Sequence, residues 1–220
     1  MKKPFAVFAS SCMALSLIFS GCGGEEELQP KEVSYGEVIV DENAYENAYL
    51  GMGVKFPAEF EIQSAEDLGQ DLERAKEVFK DTELSDEIEN AVMYMDLQAV
   101  SNSNGDNVNI IYQELNKKDW TAYAQASDDE ITDAILSQKD TLQKSYEDAG
   151  MEVISIEKGS LTMLGEEVPT IETKIEMYGM TMNIVQVAKF NLGGKFGLMI
   201  TFTAVDEAGI QAMADAFYAL

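Results

Sequence analysis

The chain has 220 residues, with 40 Asp and Glu against 15 Lys and Arg and no histidine, so its formal net charge at pH 7 is −25. This charge excludes nucleic acid as a natural partner, because nucleic-acid binding depends on neutralising phosphates with Lys and Arg. The lack of histidine excludes Ser-His-Asp and Cys-His catalysis and imidazole metal sites. Cys12 and Cys22 are the only cysteines, so the chain after Cys22 has no thiol for a disulfide, a nucleophile or a metal ligand.

The first 21 residues have the composition of a secretory signal peptide. Lys2 and Lys3 supply positive charge, residues 5–19 are mostly apolar, and Ser20 and Gly21 are small. A membrane-spanning helix needs about 20 apolar residues, which is longer than this stretch. Glycines and three glutamates follow directly and disfavour a continuing span. Residues 1–21 are therefore predicted to be a cleaved signal peptide.

Phe19-Ser20-Gly21-Cys22 resembles the lipobox of bacterial lipoproteins, with Phe19 where that family usually has leucine. The resemblance implies cleavage between Gly21 and Cys22 and diacylation, for example with palmitate, of the Cys22 thiol. Two acyl chains hold a protein stably on a membrane, whereas one holds it marginally. An anionic lipid surface repels so acidic a domain. The expected attachment is therefore the lipid on Cys22, at the extracytoplasmic face of the cell membrane.

Residues 22–35 are predicted to form an acidic, flexible tether, because they contain too few apolar residues to bury a core. Apolar periodicity begins near residue 36 and continues to the end of the chain without a repeat or a second linker. Residues 36–220 are therefore predicted to form a single α+β domain.

The domain is predicted to contain many strands and three helices. Asn104-Gly105 is a strong hairpin signal, Ser127 begins an S-x-x-E capping box, and Asp206 is a helix N-cap. The helices are predicted to begin at Ser64, at Ser127 with an end at Gly150, and at Asp206. The strands are predicted at 37–40, 49–56, 93–101, 108–115, 152–157, 161–164, 168–177, 180–191 and 195–204.

The last predicted hairpin indicates how the sheet is covered. With Gly193-Gly194 as the loop, Val187 faces Ile200 on one side of the sheet and Ala188 faces Met199 on the other. Both faces are then apolar, whereas a sheet with one wet face alternates between apolar and polar residues. The fold class predicted from this pattern is α+β: an antiparallel sheet flanked by helices on both faces, an α-β-α sandwich.

Several of these features also resemble one protein family. The segment Tyr45–Gly51, the strand that ends at Phe56-Pro57, the central helices and the closing meander with its helix are similar to bacterial lipoproteins with a PsbP/Mog1-like domain. Phe60 stands where many members have tryptophan. The resemblance implies an antiparallel sheet between helices and a surface-lipoprotein context, and it implies no catalytic residues.

The sequence indicates neither a metal site nor a cofactor. Asn102, Asn104 and Asp106 mimic the start of a calcium loop, but Asn107 and Gln113 occupy the positions of its glycine and bidentate glutamate. The hairpin turn accounts for these residues. Trp120 and Tyr123 are candidates for lining a ligand cleft, but core packing is the favoured interpretation because aromatic residues are mostly buried.

The resulting expectation is a membrane-anchored extracytoplasmic lipoprotein that is not an enzyme. Its domain would be an interaction or ligand-binding module with a protein or small-molecule partner. One alternative is the substrate-binding lipoprotein of a transporter. A second is a carboxylate-dependent hydrolase of glycans, because two acids suffice for that chemistry.

Overall fold

The computed structural model describes residues 34–63, 68–69, 92–115, 123, 125–177, 179–190 and 196–220. The predicted signal peptide, Gly21 and Cys22 at the predicted cleavage site, and most of the predicted tether lie outside these residues, as does Trp120. Of the predicted helix that begins at Ser64, only Leu68 and Gly69 are described, and both are helical.

A seven-stranded antiparallel sheet lies at the centre of the described structure, with the strand order β4-β5-β6-β10-β9-β8-β7. Its strands are β4 (Phe60–Ile62), β5 (Met93–Ser101), β6 (Asn107–Glu114), β7 (Glu152–Met163), β8 (Glu166–Met177), β9 (Met180–Lys189) and β10 (Phe196–Ala204). The predicted pairing of β9 with β10 is confirmed, since Val187 faces Ile200 and Ala188 faces Met199. The predicted glycine turn between them lies outside the described residues.

A second, four-stranded antiparallel sheet has the strand order β1-β2-β3-β11. Its strands are β1 (Glu37–Ile39), β2 (Ala44–Asn47), β3 (Met52–Lys55) and β11 (Phe217–Ala219). One turn of 3-10 helix (Val40–Glu42) joins β1 to β2 and ends at Asn43, which has a left-handed backbone with φ of 51°. The last strand of the chain thus pairs with the third, and this pairing joins the C-terminus to the start of the domain.

Three α-helices longer than one turn occur among the described residues: α1 (Asp128–Leu136), α2 (Lys139–Asp148) and α3 (Glu207–Asp215). The predicted capping box at Ser127 is confirmed, since the Glu130 N–H donates to Ser127 Oγ and the Ser127 N–H donates to the Glu130 carboxylate. The predicted N-cap at Asp206 is also confirmed, because its side chain accepts the Gly209 N–H at 2.8 Å.

The seven-stranded sheet is buried on both faces, by different kinds of layer. One apolar cluster joins it to α1 and α2 through residues such as Ile135, Leu142 and Ile184. The other joins it to the four-stranded sheet and α3 through residues such as Val54 and Ile200. A sheet with apolar residues on both faces requires cover on both, and here a second sheet supplies much of one cover.

The predicted sandwich with helices on both faces is therefore wrong for the described part of the chain. Strands make up 52% and helices 23% of that part, so the fold is mainly β. The helix-flanked fold that the family resemblance implied is corrected with it. The physical reason is that β2, β3 and β11 carry their own apolar face, which packs on the larger sheet where a helix was expected.

Several element bounds also differ from the predictions. Gly51 lies in a turn with φ of 67°, so β3 begins at Met52, after the predicted start of its strand. The two short strands predicted at 152–157 and 161–164 form one strand, β7. The helix predicted from Ser127 to Gly150 is interrupted at Ser137, whose hydroxyl donates to the Ala134 carbonyl at 2.6 Å. Side-chain bonds of this kind compete with the helical hydrogen-bond ladder.

Candidate functional site

An opening with a volume of about 610 Å³ lies beside α3. It is named here the α3 groove. Its walls are the turn between β3 and β4, the loop between β5 and β6, and α3 with the two residues before it. A volume of 300–1,000 Å³ is typical of small-molecule sites. The three walls come from residues 56–60, 101–106 and 205–216, which are far apart in the sequence.

The first wall carries the aromatic surface of the groove. Phe56 and Phe60 stack with ring centroids 5.2 Å apart and an interplanar angle of 20°. The Asn43 side-chain amide holds this turn closed by contacting the Phe56, Pro57 and Phe60 carbonyls at 3.3, 2.9 and 3.1 Å. The turn is therefore fixed before any ligand binds.

The second wall is the hairpin loop that the sequence predicted at Asn104-Gly105. Asn104 Nδ2 donates to Asp106 Oδ2 at 2.7 Å, and the Asp106 N–H donates to Asn104 Oδ1 at 3.1 Å. Gly105 has φ of 85°, a conformation that glycine adopts without strain. The Asn102 N–H donates to the Glu59 carbonyl at 2.8 Å and so links this loop to the first wall. Asn104 and Asp106, two of the three residues that mimic a calcium loop, therefore line the groove.

The third wall is made of small side chains on α3. Ala208, Gly209, Ala212 and Ala216 line the groove, and their small size leaves the space open. A Cβ at Gly209 would lie 2.8 Å from Asp106 Oδ2 and 2.9 Å from the Ala204 Cβ. Gly209 is therefore the residue that allows α3 to approach the loop so closely.

Asp106 gives the groove its electrostatic character. Its side chain is buried, and burial raises the pKa of its carboxyl group, with the nearby negative charge of Asp206 adding to the rise. Hydrogen bonds from Asn104 and from the Val205 backbone offset part of this rise in the pKa. Glu59 also lines the groove, and none of its described lining residues is Lys or Arg.

A second, more polar cleft of about 380 Å³ lies on the other side of α3, over β7, β8 and β9. Glu157 and Glu172 lie opposite each other on neighbouring strands and both line it, together with Lys174 and Asn183. Gln211 of α3 donates to the Thr162 carbonyl at 3.0 Å and so fixes the helix beside β7. The cleft is an open polar face of the sheet.

A buried polar network lies between the two sheets, away from both cavities. Asp96 occupies a β-bulge in β5 and is only 7% exposed. Its carboxylate accepts hydrogen bonds from the Gly36 N–H at 2.9 Å, from Asn47 Nδ2 at 2.7 Å and from the hydroxyl of Tyr45, and Tyr112 bonds it as well. Burial raises the pKa of the Asp96 carboxyl group, and these hydrogen bonds offset part of the rise. The network joins the first described residues of the domain to the central sheet.

Of the two candidate cleft residues, Trp120 and Tyr123, only Tyr123 is among the described residues. Tyr123 packs against the apolar cluster beneath α1 and α2, with its ring centroid 5.7 Å from that of Phe190. It lines neither the α3 groove nor the polar cleft. Sequence reasoning noticed Asp106 as part of a turn and missed its place in a groove, because the other walls are remote in sequence.

The described residues contain no group of three or more Asp, Glu, Cys or His side chains placed to hold a metal ion. No helix among them is long and apolar enough to cross a membrane.

The part of the chain that the structure describes is thus a β-rich fold of two antiparallel sheets, with the α3 groove and the polar cleft on either side of α3. No protein-family model matches the chain, and no curated protein sequence matches it.

Proposed function

We propose that the chain is a membrane-anchored extracytoplasmic lipoprotein whose domain binds a small molecule in the α3 groove without transforming it. The observation that carries the binding role is the groove itself. It combines a stacked Phe56–Phe60 pair, a fixed polar loop and a helix face of small residues. Apolar walls with a few convergent polar groups are the usual composition of ligand sites.

The membrane anchor is supported by the signal-like residues 1–21 and by the lipobox-like sequence at Cys22. The Cys22→Ala variant is expected to lose metabolic labelling with a fatty acid and to retain its N-terminal segment. Mass spectrometry of the purified chain and a gel-based labelling experiment measure both. Acyl labelling that persists in the Cys22→Ala variant would disprove the anchor.

Binding in the groove is tested by filling it. Ala212 is exposed on α3 and lines the groove, so Ala212→Phe places a ring in the cavity without disturbing the core. Ala219 is equally exposed on β11 and does not line the groove, so Ala219→Phe is the matched control. Phenylalanine is well tolerated in strands.

The measurement is a ligand-observed NMR screen of small apolar fragments against the wild-type chain and both variants. Fragments that bind the wild type are expected to lose at least about tenfold in affinity for Ala212→Phe, because the added ring occupies their volume, and to bind Ala219→Phe normally. Fragments that bind Ala212→Phe as well as the wild type, or a screen without any binder, would contradict the proposed function.

A further inference from the structure

We propose that the α3 groove selects organic cations: small molecules with an apolar body and a protonated amine. This inference rests on the proposed function, because it names the ligand class of the same groove. Three features of the groove carry it, namely its fixed carboxylates, its lack of basic residues and its aromatic surface.

Two of the three carboxylates that line the groove are held by hydrogen bonds from the protein. Asp106 accepts from Asn104 Nδ2 at 2.7 Å and from the Val205 backbone, and Asp206 accepts from the Gly209 N–H at 2.8 Å. Each carboxylate has two oxygens and about four acceptor positions, so acceptor capacity remains on both. Because Asp206 already caps α3, the positive end of that helix is partly neutralised and favours an anionic ligand less.

The negative charge of the groove is not neutralised by basic side chains among its described lining residues. Glu59, Asp106 and Asp206 line it, and no Lys or Arg does so among its described residues. Lys55, the residue before Phe56, forms its ion pair with Glu42 at 2.8 Å. Two nearby carboxylates, one of them buried, repel each other, and a ligand cation placed between them relieves that repulsion. A ligand carboxylate or phosphate would add to it.

The aromatic wall suits the remainder of such a ligand. Phe60, which stacks on the buried Phe56, offers an apolar surface, and an aromatic face also attracts a cation within about 6 Å of the ring centroid. The net charge of −25 raises the local concentration of cations around the whole molecule and lowers that of anions. An amine with an apolar tail matches both parts of the groove.

The test compares three probes with the same apolar body: 4-phenylbutylamine, 4-phenylbutanol and 4-phenylbutyrate. Isothermal titration calorimetry uses the chain purified from cells and reconstituted in phosphatidylcholine nanodiscs, with empty nanodiscs as the blank. The amine is expected to bind at least about tenfold more tightly than the alcohol, and the carboxylate to show no binding. Raising the salt concentration from 50 to 300 mM should weaken binding of the amine and leave binding of the alcohol unchanged.

The variant E59Q/D106N/D206N removes the three charges and keeps the side-chain shapes, with asparagine remaining a good N-cap at position 206. The variant E167Q/D140N/D148N removes the same number of charges from exposed positions outside the groove and is the matched control. The first variant is expected to bind the amine and the alcohol equally. The control is expected to keep most of the preference for the amine.

The outcomes separate this inference from the proposed function. Equal binding of the amine and the alcohol to the wild type, lost in Ala212→Phe, would overturn cation selection and leave the groove a ligand site. A preference for the amine that both triple variants lose equally would also overturn it, because net charge alone would then explain the preference. Failure of the fragment screen and of all three probes would overturn both proposals.

Discussion

Asp96 has an acidic side chain that is buried between the two sheets, where ionisation is costly. The hydrogen bonds that its carboxylate accepts favour the ionised form. Burial between the two sheets opposes ionisation more strongly, so the pKa of Asp96 is raised. The same desolvation, together with the nearby Asp96 charge, raises the pKa values of the Tyr45 and Tyr112 hydroxyl groups. All three groups are thus held towards their neutral forms.

This arrangement predicts a specific pH dependence of stability. Because the pKa of Asp96 is raised in the folded state, the folded state binds the proton more tightly than the unfolded state does. The stabilisation is complete below the unfolded pKa near 3.8 and is lost as the pH rises through the folded pKa, by up to about 1.4 kcal/mol per pH unit.

The measurement is urea unfolding of the wild type and Asp96→Asn between pH 4 and 8. The free energy of unfolding of the wild type minus that of the variant is expected to fall as the pH rises. Taking this difference removes the contribution of Asp106, whose raised pKa acts in the same direction in both proteins. A difference that is constant or increases with pH would show that Asp96 does not titrate in this way.

The sequence gives little warning of the role of Asp96. It stands in the run Met93–Ser101, which was predicted to be a strand and is one. A bulge at Asp96 shifts the register between Met95 and Leu97. No local pattern of residues predicts such a bulge. The position of a buried acid therefore had to come from the three-dimensional structure.

Among the helices, the ends were predicted best, because caps are local chemistry. Ser127 and Glu130 satisfy each other's backbone N–H groups within four residues, and Asp206 does the same for Gly209. The break between α1 and α2 was missed because Ile131, Ile135, Leu142 and Tyr146 fit one continuous helix. The Ser137 hydroxyl bond that accompanies the break cannot be distinguished in sequence from an ordinary exposed serine.

The Ser127 cap makes a measurable contribution to stability. Ser127→Ala removes the Oγ that accepts the Glu130 N–H, so it is expected to lower the free energy of unfolding by about 1 kcal/mol. Ser127→Asp restores an acceptor at the N-cap and is expected to remain within about 0.5 kcal/mol of the wild type. Urea unfolding of the three proteins measures the effect. Equal losses in both variants would show that the side chain acts through something other than capping.

Three of the short strands were not predicted from the sequence. β2, β4 and β11 have three or four residues each, too few to show an alternating pattern. Each is a strand because it forms hydrogen bonds with a neighbouring strand. For example, β11 pairs with β3, with Phe217 opposite Val54. The spacing of Phe217 from Ile210 and Met213 would suit a helix, but its pairing with Val54 makes it a strand residue.

At the scale of the whole molecule, the sequence predicted that the central sheet is buried on both faces. It could not predict whether helices or a second sheet cover each face. Apolar side chains on β9 and β10 show that a layer covers each face, but helices and a second sheet satisfy that requirement equally. The α3 groove exists because a second sheet and α3 together cover one face of the central sheet. It opens where the smaller sheet ends and α3 begins, so its walls meet only in the assembled fold.

The central claim, that the α3 groove is the ligand site, is tested most directly by locating a bound amine. In a chain with labelled methionine, alanine and isoleucine methyl groups, 4-phenylbutylamine is expected to give nuclear Overhauser contacts from its phenyl ring to the methyl groups of Met213 and Ala212. Both residues line the groove. Contacts confined to Ile184 methyl groups in the polar cleft, or a bound ligand without contacts to Met213 or Ala212, would contradict the claim.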